Sequence, residues 1–285
     1  MQRVQSDRWQ VSGTAPEIYE KHLVPALFGP WAPTLLKLAS PMPGRRVLDL
    51  ACGTGTVARH AADLVGPTGR VVGLDISAGM LAVARSIPSP TGRIEWKEAD
   101  ALSIPFPDGS FDIVTCQLGL QFFPDRAKAV REMKRVLVPN GRLAILVWRP
   151  IRYSPGFGAL EQALEHHAGS KAAEWMRSPF SLGNAQELRN LLQNAGFLNT
   201  TIKIGIGTVR FQSVDQFVSL YTKGTPLSAL VGPCGPLCPI SASKTTRQWL
   251  KMFVARLGHM LTMKAWPFQS KDNWQPPQPP EGQRH

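Results

Sequence analysis

"RRVLDLACGTGTVARHAADL", Arg45 to Leu64, decides the fold. An apolar run from Val47 to Leu50 ends in a loop carrying Gly53 and Gly55, and a helical pattern follows. Strand, glycine turn and helix make the βα unit on which adenosine-containing ligands settle. The glycines let a ligand approach backbone N–H groups at the start of a helix. A dinucleotide fingerprint would place a third glycine three residues after the second, and Ala58 stands there. Asp49 adds a negative charge beside the turn. That charge repels a pyrophosphate and attracts a cationic adenosine derivative.

Outward from this loop, short apolar runs alternate with helical patterns. Strands are expected at Arg46–Ala51, Arg70–Asp75, Ile94–Lys97, Phe111–Cys116 and Arg142–Trp148, each bounded by Gly, Pro or Asp. Helices are expected near Val57–Leu64, Gly79–Ser86 and Arg126–Val138, the last with one apolar face through Ala129, Val130, Met133, Val136 and Leu137. Pro139-Asn140-Gly141 reads as its terminator, leading into the next strand. Such alternation means a parallel sheet with right-handed crossovers and ligand loops at the strands' C-terminal edge. Two amphipathic stretches, Ala15–Phe28 and Trp31–Ser40, precede it as a helical cap. Helices at Phe157–Ala168 and Ala185–Ala195, a strand at Thr200–Arg210 and a helix near Val214–Leu220 follow it.

The 285 residues, 43% hydrophobic and 18% charged, suffice for one α/β domain with a full core. Four cysteines make no disulfide framework, and a reducing, cytoplasmic setting is the expectation. The opening MQRVQSDRWQ has no apolar stretch of a signal peptide, and "LAILVW" at Leu143–Trp148 is too short to span a bilayer. The net charge of +12 divides into +7 over residues 1–231 and +5 over the last 54, so the domain is only mildly basic. Scattered arginines such as Arg131, Arg135 and Arg142 read as a solvated face rather than a nucleic-acid surface.

Two further blocks carry chemistry. "GRVVGLDIS" ends the second strand with Asp75, 26 residues after Asp49, where a carboxylate can accept from both ribose hydroxyls or cap the helix beginning near Ser77. "KEADALSIPFPDGSFDIV" puts Asp100 and Ala101 after the third strand, where carboxylate and backbone can read an adenine edge, and starts the fourth strand near Asp112. In "CQLGLQFFPD", Cys116, Gln117 and Leu118 fall at the fourth strand's C-terminal tip, facing the reacting centre. His166 and His167 are adjacent, point about 100° apart on a helix and share no metal. Cys234 and Cys238 lack the second pair a zinc site needs, and no metal is expected. Phe122, Phe123 and Trp148 read as core or pocket wall.

In this order and spacing, "VLDLACGTG", "VVGLDISAGML", "EADALSIPFPDGSFDIV" and "REMKRVLVPNGRLAI" resemble the class I S-adenosylmethionine-dependent methyltransferases. The nearest likeness is the type 11 branch that includes the ubiquinone and menaquinone methyltransferases. The resemblance implies S-adenosyl-L-methionine as co-substrate. Gly53 and Gly55 would approach its methionine portion, Asp75 its ribose, Asp100 and Ala101 its adenine. It further implies Ile76 among the donor-binding residues, Met80 beside the adenine, Gln117 near the sulfur, and Tyr19 of the cap closing the site. The fold expected is α/β, a doubly wound, mostly parallel Rossmann-like sheet of seven strands. Residues 1–45 form its helical cap, 46–231 the methyltransferase domain and 232–285 a non-globular tail.

A small-molecule methyl acceptor with an O, N or C nucleophile follows as the functional expectation, with no catalytic base nameable. The alternatives are an RNA methyltransferase and a non-catalytic S-adenosylmethionine-binding module. The Asn/Asp-Pro-Pro-aromatic motif of amino-group methylation is replaced here by "CQLGLQFF", which weighs against the RNA branch. The tail, Gly232–His285, is rich in Pro, Lys and Gln, with a helical pattern only at Gln248–Leu261, and is expected to be mostly disordered. It departs from a family ending of the kind "VDDEGLAFPIE". Yet the codons permitted by "HMLTMKAWPFQ", shifted to begin at the third base, allow "VDDEGLAFP" in order. A frameshift just after Val231 is the expectation this raises, and resequencing the codons from Leu230 to Pro233 decides it.

Overall fold

The computed structural model describes residues 14–89, 94–227 and 262–269. Five parallel strands form the main sheet: β1 (Arg46–Leu50), β2 (Arg70–Asp75), β3 (Ile94–Glu98), β4 (Phe111–Gln117) and β5 (Leu137–Trp148). They lie in the order β3-β2-β1-β4-β5, so the winding reverses between β1 and β4. That reversal opens a crevice at the strands' C-terminal ends, where open α/β sheets bind ligands.

Residues alternate between two cores. Val47, Val71, Ile113, Ala144 and Leu146 face one core, while Leu48, Val72, Val114, Leu143 and Ile145 face the other. Both faces are therefore covered, which is why the central strands read as continuous apolar runs. The cap helix α2 (Ala32–Ala39), α3 (Thr56–Val65) and α6 (Pro155–Ala168) supply the first core. The second takes α5 (Arg126–Val136) and α8 (Ala185–Asn194). Between β2 and β3 runs α4 (Ala78–Ser86), capped by Ser77, whose side chain accepts from the Met80 amide. Helix α7 (Ser170–Arg177) was not expected from the sequence, and α9 (Val214–Lys223) extends past its expected end.

The cap begins as α1 (Ala15–Ile18) and continues as a π-helical stretch over Tyr19–Phe28 with Pro25 inside it. Pro25 has no N–H to donate, and such wide turns gather at functional sites. Pro139-Asn140-Gly141 does not end the helix before the strand. It lies within β5, which begins at Leu137 opposite Phe111 and bends through Asn140 at φ 62°.

The expectation of seven strands needs correction. Beyond β5 come the antiparallel β8 (Thr262–Gln269) and then two pieces, β6 (Thr201–Ile202) and β7 (Gly205–Thr208), where one strand was expected. Both pieces pair with β8, and the break between them falls opposite Trp266 and Pro267. Proline offers no N–H, and the ladder lapses there. Residues 262–269 are the described part of the tail, and they form β8. The edge of β5 presents unpaired N–H and C=O groups, and a backbone from any part of the chain can satisfy them. The rest of Gly232–His285, with Cys234, Cys238 and the helix proposed at Gln248–Leu261, lies outside the described residues. No helix among the described residues is long and apolar enough to cross a membrane.

Candidate active site

The loop after β1 is fastened to the tip of β2. Gly53 N donates to Asp75 Oδ2 at 2.7 Å, Ser77 N to Asp75 Oδ1 at 2.9 Å, and Cys52 N to Leu74 O at 3.0 Å. Asp75 thus organises the loop and the start of α4 while lining the cavity beside them. Burial raises its pKa, and the backbone N–H groups of Ser77, Gly53 and Ile76 pull against that rise. Asp100 Oδ1 accepts from Leu102 N at 2.8 Å, holding the turn after β3.

A cavity of about 220 Å³ opens over these tips. Of the residues expected at the site, it brings together Tyr19, Gly53, Asp75, Ile76, Met80, Asp100, Ala101 and Gln117. Ile76 stands 43% exposed, a large apolar side chain left open on the wall. The backbone is strained at two non-glycine positions there: Ala51 at φ 55° after β1 and Leu118 at φ 58° after β4. Left-handed conformations at such residues cost about 1–3 kcal/mol each and gather at ligand sites.

Asp49 and Gly55 do not line this cavity. Gly55, at φ 87°, faces the ring of Trp96, and a Cβ added there would come within 2.2 Å of it. Packing and backbone conformation both call for glycine at this position. At Gly53, φ 56°, an added Cβ would meet only Tyr19 Oη, at 4.0 Å, so this is the glycine that leaves room for a ligand. Asp49 is buried within β1, where Oδ1 accepts from Thr115 Oγ1 at 2.9 Å. Its Oδ2 makes no hydrogen bond of good geometry, and the Ala58 amide in the first turn of α3 lends only weak electrostatic support. Burial pushes its pKa up to about 7, against the Thr115 hydrogen bond. Asp49 is thus a buried carboxyl one layer behind the loop, its ionisation opposed by burial.

The cap is tied to this floor. Gln117 Nε2 donates to Phe28 O at 3.0 Å, leaving Gln117 Oε1 without a partner among the described residues. Arg59 bridges Glu20 Oε1 at 3.0 Å and Thr54 O at 2.6 Å. Tyr19 stacks on Phe28 with ring centroids 4.8 Å apart, and burial, with the Asp75 and Glu20 charges, keeps its phenol neutral. Asp112, at the far end of β4, instead accepts from Arg46 N at 2.8 Å and fastens the sheet.

On the other side of the winding reversal the wall changes character. Leu118, Gly119, Gln121, Phe122 and Phe123 follow β4, Trp148 ends β5, and Tyr221 comes from α9. Phe122, Phe123 and Trp148 serve as pocket wall, as their sequence context implied. Gln121 and Tyr221 were not singled out, since nothing in a local pattern marks which residues a distant helix will meet. Among the described residues no Lys, Arg or His lines the cavity, and the acids that do, Asp75 and Asp100, belong to the β2 and β3 tips. Among the described residues no cluster of His, Cys, Asp and Glu could hold a metal, and Cys52 and Cys116 are free thiols.

Residues 48–145 match the family model described as a methyltransferase domain. The demethylmenaquinone methyltransferase of Staphylococcus aureus is 32% identical over 222 residues, covering 72% of this chain and 87% of the relative. An Anabaena variabilis structure described as a methyltransferase from an antibiotic biosynthesis pathway superposes with a TM-score of 0.63 at 16% identity, over 86% of this chain and 98% of that one. The Haemonchus contortus phosphoethanolamine N-methyltransferase 2 gives 0.51 at 20% identity, over 86% and 53%. At those identities the structures speak for the fold alone. The relative, the matched motifs and the cleft at the winding reversal agree: this chain is an S-adenosylmethionine-using enzyme and belongs to the class I S-adenosylmethionine-dependent methyltransferases, in the type 11 branch.

Proposed function

We propose that the enzyme methylates an O, N or C nucleophile on an apolar, ring-bearing small molecule. The observation that carries this reading is the aromatic wall beyond β4, where Phe122, Phe123, Trp148 and Tyr221 meet the cavity and, among the described residues, no Lys or Arg does. A polynucleotide acceptor would call for cations at the mouth to meet phosphate. The Staphylococcus relative is named for a demethylmenaquinone acceptor, and a ring of that kind suits such a wall.

The bound donor supplies an electrophilic methyl group on a sulfonium. The residues present fit it: Gly53 leaves a glycine-wide opening, Asp75 and Asp100 offer carboxylates at the β2 and β3 tips, and Ile76 and Met80 offer apolar surface for a ring. Asp49, with its free Oδ2, favours a positive charge at the loop. The Gln117–Phe28 and Arg59–Glu20 links hold the cap over the cleft, excluding water and aligning the acceptor. Among the described residues no His, Lys or Glu lines the cavity and its two carboxylates stand at the β2 and β3 tips, so we assign no base and let the acceptor bring its own nucleophilicity. Labelled S-adenosylmethionine incubated with a small-molecule extract and, separately, with total RNA tests the reading. Label in organic-soluble product is the expected result. Label in RNA alone overturns it, and donor binding with no label in either fraction favours a binding-only module.

A further inference from the structure

The side chain of Gln121 is buried, only 4% exposed, yet neither Oε1 nor Nε2 has a hydrogen-bond partner among the described residues. Its backbone, by contrast, is clamped: Gln121 O accepts from Arg126 Nη2 at 3.0 Å and from Ser181 Oγ at 3.4 Å. A carboxamide withdrawn from water with both ends unpaired is costly, and native interiors rarely keep one without a use. Gln121 lines the cavity, and it follows β4, across the winding reversal from Asp75 and Asp100. Its neighbours on the wall, Phe122 and Phe123, offer no carboxamide, and Gln117 has already spent its Nε2 on the cap.

Resting on the small-molecule reading above, we infer that Gln121 is the residue that reads the acceptor, its Nε2 donating to an acceptor oxygen and its Oε1 accepting from a hydroxyl or amine. The methyl acceptor is then an apolar ring bearing both a hydrogen-bond donor and a hydrogen-bond acceptor, and hydrocarbon rings of the same shape are rejected. Rejection follows because a ligand lacking polar atoms leaves the amide unpaired, whereas a polar ring pairs it. A site built to pair a polar group discriminates far better than an apolar pocket can.

Matched probes test this: 1,4-dihydroxynaphthalene, kept reduced under anaerobic conditions, and naphthalene, each titrated by quenching of protein fluorescence with S-adenosylhomocysteine saturating. The wild type should bind the diol at least about tenfold more tightly than the hydrocarbon. Gln121→Leu should erase most of that preference while S-adenosylmethionine affinity, by calorimetry, changes less than about twofold. A second readout needs no acceptor. Gln121→Met removes the orphaned amide and should raise the melting midpoint of the ligand-free protein by about 2–4 °C. A lowered midpoint would make the amide structural. An unchanged preference in Gln121→Leu, or none in the wild type, overturns the inference, as does a large loss of donor affinity. Failure of the small-molecule reading would appear separately, as labelled methyl in RNA.

Discussion

The two halves of the cleft solve opposite problems. At the β2 and β3 tips the carboxylates that line the cleft are already held by protein: both Asp75 oxygens accept backbone N–H groups and Asp100 holds Leu102 N. Over β4 and β5 the wall is aromatic, and the buried amide of Gln121 is unpaired among the described residues. The first half is prepared for one fixed ligand, and the second waits for a ligand to complete it. A shared donor needs a preorganised site, whereas the acceptor defines what the individual enzyme does.

The glycines give the sharpest way to break this picture. Gly55→Val drives a branched side chain into Trp96 at φ 87°, and should cost about 3–5 kcal/mol of stability from overpacking and left-handed strain together. Gly53→Ala, with open space around it, should cost only about 1–2 kcal/mol of stability but impair donor binding. Chemical denaturation beside donor calorimetry separates the two. A Gly55→Val protein of wild-type stability would return that glycine to the ligand surface.

Asp75→Ala comes next, with an expected loss of about 1.5–3 kcal/mol in S-adenosylmethionine affinity, the scale of hydrogen bonds to a charged group. Circular dichroism should remain native. Unchanged affinity would leave Asp75 as loop fastener alone. Smaller again, Asp49→Asn should weaken the cationic donor more than neutral S-adenosylhomocysteine, by about 1–2 kcal/mol at an effective dielectric of about 20. Equal losses would mean that Asp49 acts only through its bond to Thr115.

The same carboxyl predicts a pH signature. Burial raises the Asp49 pKa from its ordinary value to about 7, so the folded state holds a proton that the unfolded state has released. The stability contribution is therefore present below the ordinary carboxylate range and lost as pH rises toward 7. Donor affinity should move the other way, rising through pH 7 as the carboxylate forms, while product affinity stays flat. A thermal series across pH 4–8 on wild type and Asp49→Asn checks the first part, since the variant should lose that slope. Donor and product titrations over the same range check the second.

Much of the donor half was legible because it is local. The "VLDLACGTG", "GLDIS" and "EADAL" blocks each place their site residues within a few positions of a strand tip, and strand tips are readable from apolar runs. The packing of Gly55 against Trp96 was not legible, because Trp96 is 41 residues away. Gln121 stood in plain view within "CQLGLQFFPD", yet its significance is an absence of partners, which no local pattern encodes. At the far edge of the sheet, "TMKAWPFQ" lacks alternation and carries a proline, and nevertheless pairs with β5, β6 and β7. Backbone groups at an open edge need a neighbour whatever its side chains.

Alone, the sequence determined the winding of the parallel sheet, the glycine loop, the acids at successive strand tips and hence the donor. These follow from short-range periodicity and turn chemistry. Only the tertiary structure decided that Gly53 lines the cavity while Gly55 packs on Trp96, that Asp49 is a buried carboxyl behind the loop, and that β4, β5 and α9 bring aromatic side chains beside an amide unpaired among the described residues. Those features depend on burial and on contacts across 30 or more residues of chain, such as Arg59 with Glu20 and Gln117 with Phe28. Their energies come from what surrounds a group, and the surroundings exist only once the chain has folded.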